Sequence, residues 1–514
     1  MGQIRKIGQI VALMALCLVV GFLLAHPINL ATADLGRHIK NGELIVSELK
    51  TAHSFSSVVY KNTYSYTNAD FASPNHHWAS GVVFFYLQKW FGFVGLSVWY
   101  IATFLLAFLI MFYISSKTVG FLATFVSSLF ILPLLIYRDE VRPEVWSYVF
   151  VSSYTLMLWK HMRTGKKWYL YLLLLLQVLW VNLHIYFFLG FIVTGAFLLH
   201  YILYKNWYGA RVLAWLLVLL VLVSLVSPLG LIGLLYPFQI LGHYGYRVLE
   251  NQSIFFLRNL HIEAPGFIFL EINFFLLIFG FMRTLVKKKV DMPWVWWLAL
   301  AGNFLGLFAV RNLALCGLLS IPALAQNFGR MALEQKRPWV KTMPVYLAIV
   351  LVIIFSEFCL IYPSELGKAH ALGLADGVLG PGQFIQANGI VGPIFNNYDI
   401  GGLLIYELQP LEKVFVDNRP EGYPEEFFRD VYVPMQEDPV VWQAKLGQYH
   451  FNAIIFNWHD ATPWAQTFLA RIINDPAWAP VYVDNYTLIV LRRNGVNEGV
   501  IEKHELPKSL FRFK

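Results

Sequence analysis

The stretch Arg5–His38, RKIGQIVALMALCLVVGFLLAHPINLATADLGRH, decides how the rest of the chain is read. Arg5 and Lys6 precede an apolar run from Ile7 to Ala25, and a helix needs about 20 such residues to cross a hydrocarbon layer about 30 Å thick. The run reads as a retained anchor rather than a cleaved leader, because it is long and His26-Pro27 offers no small-x-small cleavage site. Asp34 follows shortly after the anchor, close to where hydrocarbon gives way to water.

Working outward, the 514-residue chain is 58% hydrophobic and only 14% charged, against roughly 25% charged residues in a soluble domain. No water-soluble core absorbs that composition. A formal net charge of +8 raises the question of nucleic acid, but the cations follow topology and imply no nucleic-acid partner. Basic clusters at Arg5-Lys6, Lys117, 160–167, Lys205 with Arg211, 283–289 and 330–341 alternate with apolar chain sufficient for two spans between neighbouring clusters. All then lie on the cytoplasmic side, which predicts about eleven spans with the amino terminus inside and the carboxy terminus outside. The expected spans are 7–26, 96–115, 118–137, 144–160, 168–183, 185–204, 212–235, 266–285, 292–310, 312–328 and 343–362. The pair 168–204 must turn at Val181-Asn182-Leu183-His184, since an unbroken helix of that length overshoots a bilayer. Cys17, Cys316 and Cys359 all fall within spans and indicate no disulfide framework.

The fold class is therefore an α-helical polytopic membrane protein with a soluble α/β domain at its carboxy terminus. Residues 1–362 form the membrane domain and carry a large outer loop at 28–95; residues 363–514 form the extracytoplasmic domain. In the loop, Val83, Leu87, Trp90 and Phe91 recur at helical spacing and predict an amphipathic helix lying in the interface. In the tail, strands are expected at 390–395, 413–416, 453–456, 481–483 and 487–491, with a helix capped by Asp460 and carrying Pro463 in its first turn. Alternating strands and helices favour a small, partly parallel sheet covered by helices. The glycines of Asn396-Asn397-Tyr398-Asp399-Ile400-Gly401-Gly402 match no dinucleotide or phosphate-binding loop and read as turn geometry.

Carboxylates and arginines gather on the expected outer side, which makes that face the place to look for chemistry. A carboxylate partly withdrawn from water, as at Asp34, is a better proton acceptor near neutral pH; the competing reading is that Asp34 caps a helix beginning at Leu35. The charged turn Tyr137–Glu144 also has two readings. It is a solvated hairpin held by weak ion pairs, or Arg142 grips a phosphate through its planar fork while Asp139 and Glu140 orient it or bind a metal. His184 lies where two spans turn, Arg258 lies in an outer loop, and Arg311 interrupts an apolar run, so it snorkels or meets an anion at the interface. His76-His77 without a second matched pair is a weak metal signal, and no metal site is expected.

Asp34-Leu35-Gly36-Arg37-His38 with Gly42-Glu43, then Ser65-Tyr66-Thr67, Asn75-His76-His77-Trp78, Arg142-Pro143, Asn182-Leu183-His184 and Asn396–Gly402, set in this architecture, resembles the GT-C membrane glycosyltransferases. It is similar, more closely, to bacterial proteins related to the protein-mannosyltransferase group. The resemblance covers nearly the whole chain. It implies transfer of a hexose or pentose from a polyprenyl-phosphate sugar to a glycan, lipid or protein acceptor, at the outer face of the cytoplasmic membrane. Asp34 would be the base, while Arg142, Arg258 and Arg311, with His38, His184, Asp139 and Glu140, would serve substrate and phosphate. The paired acidic motif of some relatives is absent, since Leu35-Gly36 follows Asp34, so metal dependence is not implied and no cofactor is assigned. Two other classes fit many spans and buried charges: a transporter or flippase, which would carry paired halves or matched broken spans, and a non-catalytic assembly or sensing protein.

Overall fold

The structure, a computed structural model, describes residues 2–53, 57–239, 245–286, 292–334 and 369–511. Its internal packing forms two compact units, one of Met1–His26, Ser97–Gly230 and Val248–Leu372, the other of Pro27–Leu96, Leu231–Arg247 and Gly373–Lys514. The loop at 28–95, read from the sequence with the membrane half, thus packs in one unit with the tail.

The first unit is helical. Helices lie on each of the first ten expected spans, including Gly2–Leu23, Phe121–Phe130, Val145–Thr164, Trp168–Leu183, Leu189–Leu203, Pro265–Val286, Pro293–Phe308 and Leu313–Glu334; the eleventh, 343–362, lies outside the described residues. Among the described residues, four helices are long and apolar enough to cross a membrane, and four more are apolar but 10–17 residues long. Large apolar side chains face outward along them, as with Ile4 at 76% and Leu18 at 73% exposure. A water-soluble protein does not leave such a surface bare, and this is a membrane protein.

Two expected spans end differently. The helix in 118–137 stops at Phe130 and restarts as Leu132–Leu135, because Pro133 in its first turn has no N–H to continue the ladder. The span 212–235 is a helix, Trp207–Val223, followed by a break that Asn182 supports by donating to the Val226 carbonyl at 2.9 Å. The 168–204 hairpin turns where expected: His184 is extended after Leu183, and a 3-10 turn, Ile185–Phe188, leads into the next helix. Polar side chains clasp the helices inside the unit. Asn273 donates to Asn303 Oδ1 and Ser320 Oγ, both at 3.0 Å, and Gln177 donates to Ser224 at 2.9 Å, hydrogen bonds of the kind that hold helices together in hydrocarbon.

The second unit is built on a four-stranded sheet, β1 (Ile394–Asn396), β2 (Ala453–Asn457), β3 (Trp478–Val483) and β4 (Thr487–Arg492), in the order β1-β2-β4-β3. β1 and β2 are parallel; the β2–β4 and β3–β4 pairs are antiparallel. The helix Ala465–Asn474 buries Phe468, Leu469, Ile472 and Ile473. It begins later than expected, because Asp460 spends one oxygen on the Thr462 N–H and the other on Asn397 Nδ2, both at 2.9 Å. The expected strand at 413–416 is not a sheet member. Asn396 occupies its backbone instead, accepting from Phe415 N at 2.9 Å and donating to the Val416 carbonyl at 2.7 Å, while Val414 bridges to Ser65 in the loop.

The loop's helix Leu35–Thr51 packs on the helix Gly401–Leu408 and, through Gly42, against Gly81 in the helix Trp78–Thr118. The amphipathic stretch around Val83–Phe91 is the start of this last helix, interrupted at Gly92, whose φ of +65° is left-handed; Trp90 and Phe91 are exposed. Glycine here serves close approach. A Cβ on Gly36 would lie 2.8 Å from the Gly402 carbonyl, and one on Gly401 would lie 2.5 Å from that of Val416. Gly401 and Gly402 therefore supply contact rather than the turn geometry expected of them.

A methyl group on Gly42 would collide with the Gly81 backbone and lie 2.8 Å from Val82 N. Gly42→Ala should lower stability by about 1–3 kcal/mol, read as a reduced thermal midpoint in detergent. Gly447→Ala, at an exposed helical position with nothing within 4 Å of the new carbon, should leave the midpoint unchanged or raise it.

Candidate functional site

Asp34 occupies the N-cap position of the helix Leu35–Thr51, yet its side chain makes no capping bond. Its Oδ2 instead faces Arg37 Nη2 at 3.5 Å and His38 Nε2 at 3.4 Å. One turn of helix brings all three together, because residues three and four apart share a face. Arg37 and His38 are buried, His38 completely, while Asp34 keeps 22% of its side chain exposed. Arg37 is fixed from the tail, donating through Nε to Asn418 Oδ1 at 3.2 Å.

Next to Asn418 is a second ionic centre, in a polar loop that follows a β-type run. Arg419 grips Asp417 through two bonds of 2.8 and 2.7 Å and also donates to Asn62 at 2.7 Å. Tyr423 donates to the same carboxylate at 3.2 Å. Burial pushes Asp417 up, but the charge and hydrogen bonds of Arg419, with the charge of Arg37, outweigh it and hold the carboxyl below its ordinary range. Burial pushes Glu421, a neighbour of both arginines, up. The signal was present as Val416-Asp417-Asn418-Arg419-Pro420 after a β-type run, but an Asp and an Arg two residues apart do not reveal from spacing that they form a fork.

The first unit holds a separate network. Glu250 accepts from Arg138 at 2.9 Å and from Arg142 at 3.2 Å, and Arg311 lies 4.0 Å away. Arg138 also binds Glu144, Arg142 binds Glu140 at 2.6 Å, and Asp139 meets His26 at 3.4 Å. Burial raises Glu250, but the three arginines together pull it well below the usual carboxylate range. Arg311 is the least tightly held of the three. Among the described residues its nearest carboxylate, Glu144, is 3.7 Å away, it donates to Asn251 at 2.9 Å, it lies 5.6 Å over the Tyr186 ring, and its buried Nε meets no hydrogen-bond acceptor among those residues.

The remaining candidates fall elsewhere. His184 is buried with its Nδ1 2.7 Å from Ser147 Oγ, which also accepts from Trp180 Nε1 at 2.8 Å; this joins two helices. Arg258 is spent on Glu263 and Glu271 and, among the described residues, forms no ion pair with the Glu250 network. Thus Arg142, Arg311, Asp139 and Glu140 come together in one unit, Asp34 and His38 in the other. Among the described residues, no three His, Cys, Asp or Glu side chains are grouped to hold a metal ion. In the tail, burial followed by the charge of Asp460 raises Asp399 to about 7, and burial raises Glu407 to about 8 although Gly382 N–H donates to it at 3.1 Å.

No protein-family profile matches the sequence, and no curated protein matches it either. Solved structures do. The oligosaccharyltransferase AglB of Archaeoglobus fulgidus, in complex with an inhibitory peptide and a dolichol-phosphate, is 11% identical with a TM-score of 0.60, over 95% of this chain and 75% of that one. The apo form of the enzyme gives 0.62 over 96% and 76%, at 11% identity. The form tethered to an acceptor peptide gives 0.63 over 96% and 75%, also at 11%. The likeness is one of fold, and the chain has the GT-C fold of that enzyme.

Removing one partner of a buried ion pair leaves the other charge stranded, at a cost of about 3–5 kcal/mol. Glu144→Gln should therefore depress the thermal midpoint strongly, whereas Arg258→Ala, at a partly exposed pair, should cost about 1 kcal/mol or less. The tail titrates in the opposite sense to a salt-bridged carboxylate. Asp399 holds its proton to about 7 in the folded protein and loses it near 4 when unfolded, so the folded form binds more protons between these values and stability falls as pH rises through that window. Asp399→Asn should flatten the midpoint-against-pH curve between about pH 4 and 7.

Proposed function

We propose that this protein is an integral membrane glycosyltransferase of the cytoplasmic membrane that moves a hexose or pentose from a polyprenyl-phosphate donor to a glycan, lipid or protein acceptor at the outer face. In this reading the chain crosses the membrane about eleven times, with its amino terminus inside and its tail outside, and belongs with the protein-mannosyltransferase-like bacterial proteins. The observation that carries the reading is Asp34: in a chain with the GT-C fold, it stands at a helix start where a cap is expected and turns its carboxylate to Arg37 and His38 instead. The dolichol-phosphate bound to the archaeal enzyme supports a lipid-phosphate donor.

Asp34 takes the proton of the acceptor hydroxyl as its oxygen attacks the anomeric carbon. Arg37 and His38 fix the carboxylate's orientation. The lipid phosphate that departs with the electron pair needs fixed positive charge. Arg311 suits that task, because its ion pairs are long and one donor is unused, and Arg142 follows it. Arg258, held by Glu263 and Glu271 as Arg142 is by Glu140 and Glu250, comes after them, and His184, Asp139 and Glu140 support the scaffold through Ser147, His26 and Arg142.

With purified protein and a polyprenyl-phosphate sugar, Asp34→Asn should lower kcat by at least about 100-fold while elution profile and donor binding stay as in the parent. Turnover equal to the parent would remove Asp34 as base. Arg311→Ala should raise the donor KM on the order of tenfold, the loss of a charge-assisted hydrogen bond.

A further inference from the structure

Asp34, Arg37 and His38 share one helix turn, but the group that orients the arginine comes from the tail. We infer that Asn418 is a positioning residue for the transfer reaction: it aims the Arg37 guanidinium at Asp34 and leaves the positive charge to that carboxylate. This rests on the glycosyltransferase reading above. Arg37 Nε donates to Asn418 Oδ1 at 3.2 Å, and its Nη2 faces Asp34 Oδ2 at 3.5 Å. A guanidinium is a planar fork of five N–H donors in fixed directions, so an acceptor held at Nε sets the plane in which Nη2 meets the carboxylate.

Asn418 is itself held. The residues on either side of it close a fork, Arg419 to Asp417 at 2.8 and 2.7 Å. Arg419 also donates to Asn62 at 2.7 Å, and Asn62 donates to the Gly422 carbonyl at 2.9 Å. Tyr423 Oη accepts from Asp417 N at 2.9 Å. The Asn418 amide lies against Gly402, where a Cβ would come 3.1 Å from Asn418 Nδ2 and 3.1 Å from the Ala33 carbonyl. A side chain at 402 would therefore press on both the amide and the residue before Asp34.

The residue type matters as much as its place. An aspartate of the same shape would accept the same hydrogen bond, but its charge would compete with Asp34 for the guanidinium. An asparagine carbonyl accepts without charge, so Arg37 keeps its charge for Asp34, and an opposite charge nearby favours the ionised carboxylate that a base requires. In the reaction the acceptor O–H bond breaks and its proton passes to Asp34. The oxygen bonds to the anomeric carbon, whose bond to the phosphate oxygen breaks with the electron pair leaving on polyprenyl phosphate. Asn418 acts through Arg37, before that step, by keeping the base aimed and ionised.

The titratable groups that bear on Asp34 and Arg37 include His38 on their own helix, Tyr64 in the loop, and Asp417, Arg419 and Glu421 in the tail. The test uses full-length protein in detergent with a polyprenyl-phosphate sugar, with rates referred to the folded fraction. Asn418→Ala should lower kcat on the order of tenfold with donor KM unchanged, because a misaimed group loses rate without loosening the donor. Asn418→Asp keeps the acceptor and adds a charge. It should hold the parent's kcat on the alkaline plateau, where the base is ionised, while the acidic limb of its pH profile moves to higher pH by on the order of one unit. Asn418→Ala with the parent's kcat would overturn the inference. Equal losses in both variants with unshifted profiles would assign Asn418 to packing and overturn it too. Should Asn418→Ala not fold, an unshifted acidic limb in Asn418→Asp overturns it alone. Each of these results leaves Asp34 as base, whereas a parent protein inactive with every polyprenyl-phosphate sugar would overturn the glycosyltransferase reading and this inference with it.

Discussion

Glu250 ties together the charged segments of the helical unit. Its carboxylate meets Arg138 and Arg142 from one inter-helix turn and has Arg311 close by from another. Bringing such groups out of water costs several kcal/mol per ion, and the attraction among them recovers that cost only when the geometry is good and each charge is matched. Three arginines are balanced by Glu140, Glu144 and Glu250. The chain at 137–144, 249–251 and 310–312 is therefore fixed by charge matching, where hydrocarbon packing alone would not choose one arrangement over another. Within the helices below, Asn273, Asn303, Ser320 and Gln177 repeat the principle with neutral groups.

The second unit solves a different problem, that of bringing a loop helix against a tail helix closely enough for their polar residues to meet. Gly36 under the Gly402 carbonyl and Gly42 under Gly81 remove the side chains that would hold the backbones apart. Arg37 then reaches Asn418, and Tyr64 donates to Asn41 on the same helix at 2.6 Å. The surroundings of Asp34 follow from that approach: the helix presents Arg37 and His38, and the tail fixes the arginine.

Much of this was legible because hydropathy and charge act over many residues. Helices fall on the apolar runs, and the turn at His184 sits where bilayer thickness demands one. The partly parallel sheet follows from β-type runs separated by helices. What failed did so where a single residue overrides the local pattern. Lys413–Val416 has strand composition, but Asn396 takes its backbone bonds. The 212–235 run is strongly apolar, yet it carries Ser224, Ser227, Pro228 and Gly230, and its helix ends at Val223 before a second starts at Gly230. Among the candidate residues, Asp34 stood out by position and Arg311 by interrupting an apolar run, whereas Asp417–Arg419 in one unit and the convergence of Arg138 on Glu250 in the other join residues whose spacing says nothing about their geometry. The service of Gly401 and Gly402 to helix contact was equally invisible, since glycine in a sequence does not say which of its two freedoms is in use.

The second unit holds two acid–arginine pairs of different geometry. Asp417 is fully buried and receives two short parallel bonds from Arg419, with a third from Tyr423. Protonating it means breaking a bidentate charge-assisted pair in a low-dielectric setting, where such bonds are strongest. It is a structural anion. Asp34 meets its arginine and histidine at 3.5 and 3.4 Å, longer than good hydrogen bonds, and part of its side chain remains open. The helix geometry that places Arg37 and His38 on one face keeps the carboxylate oriented.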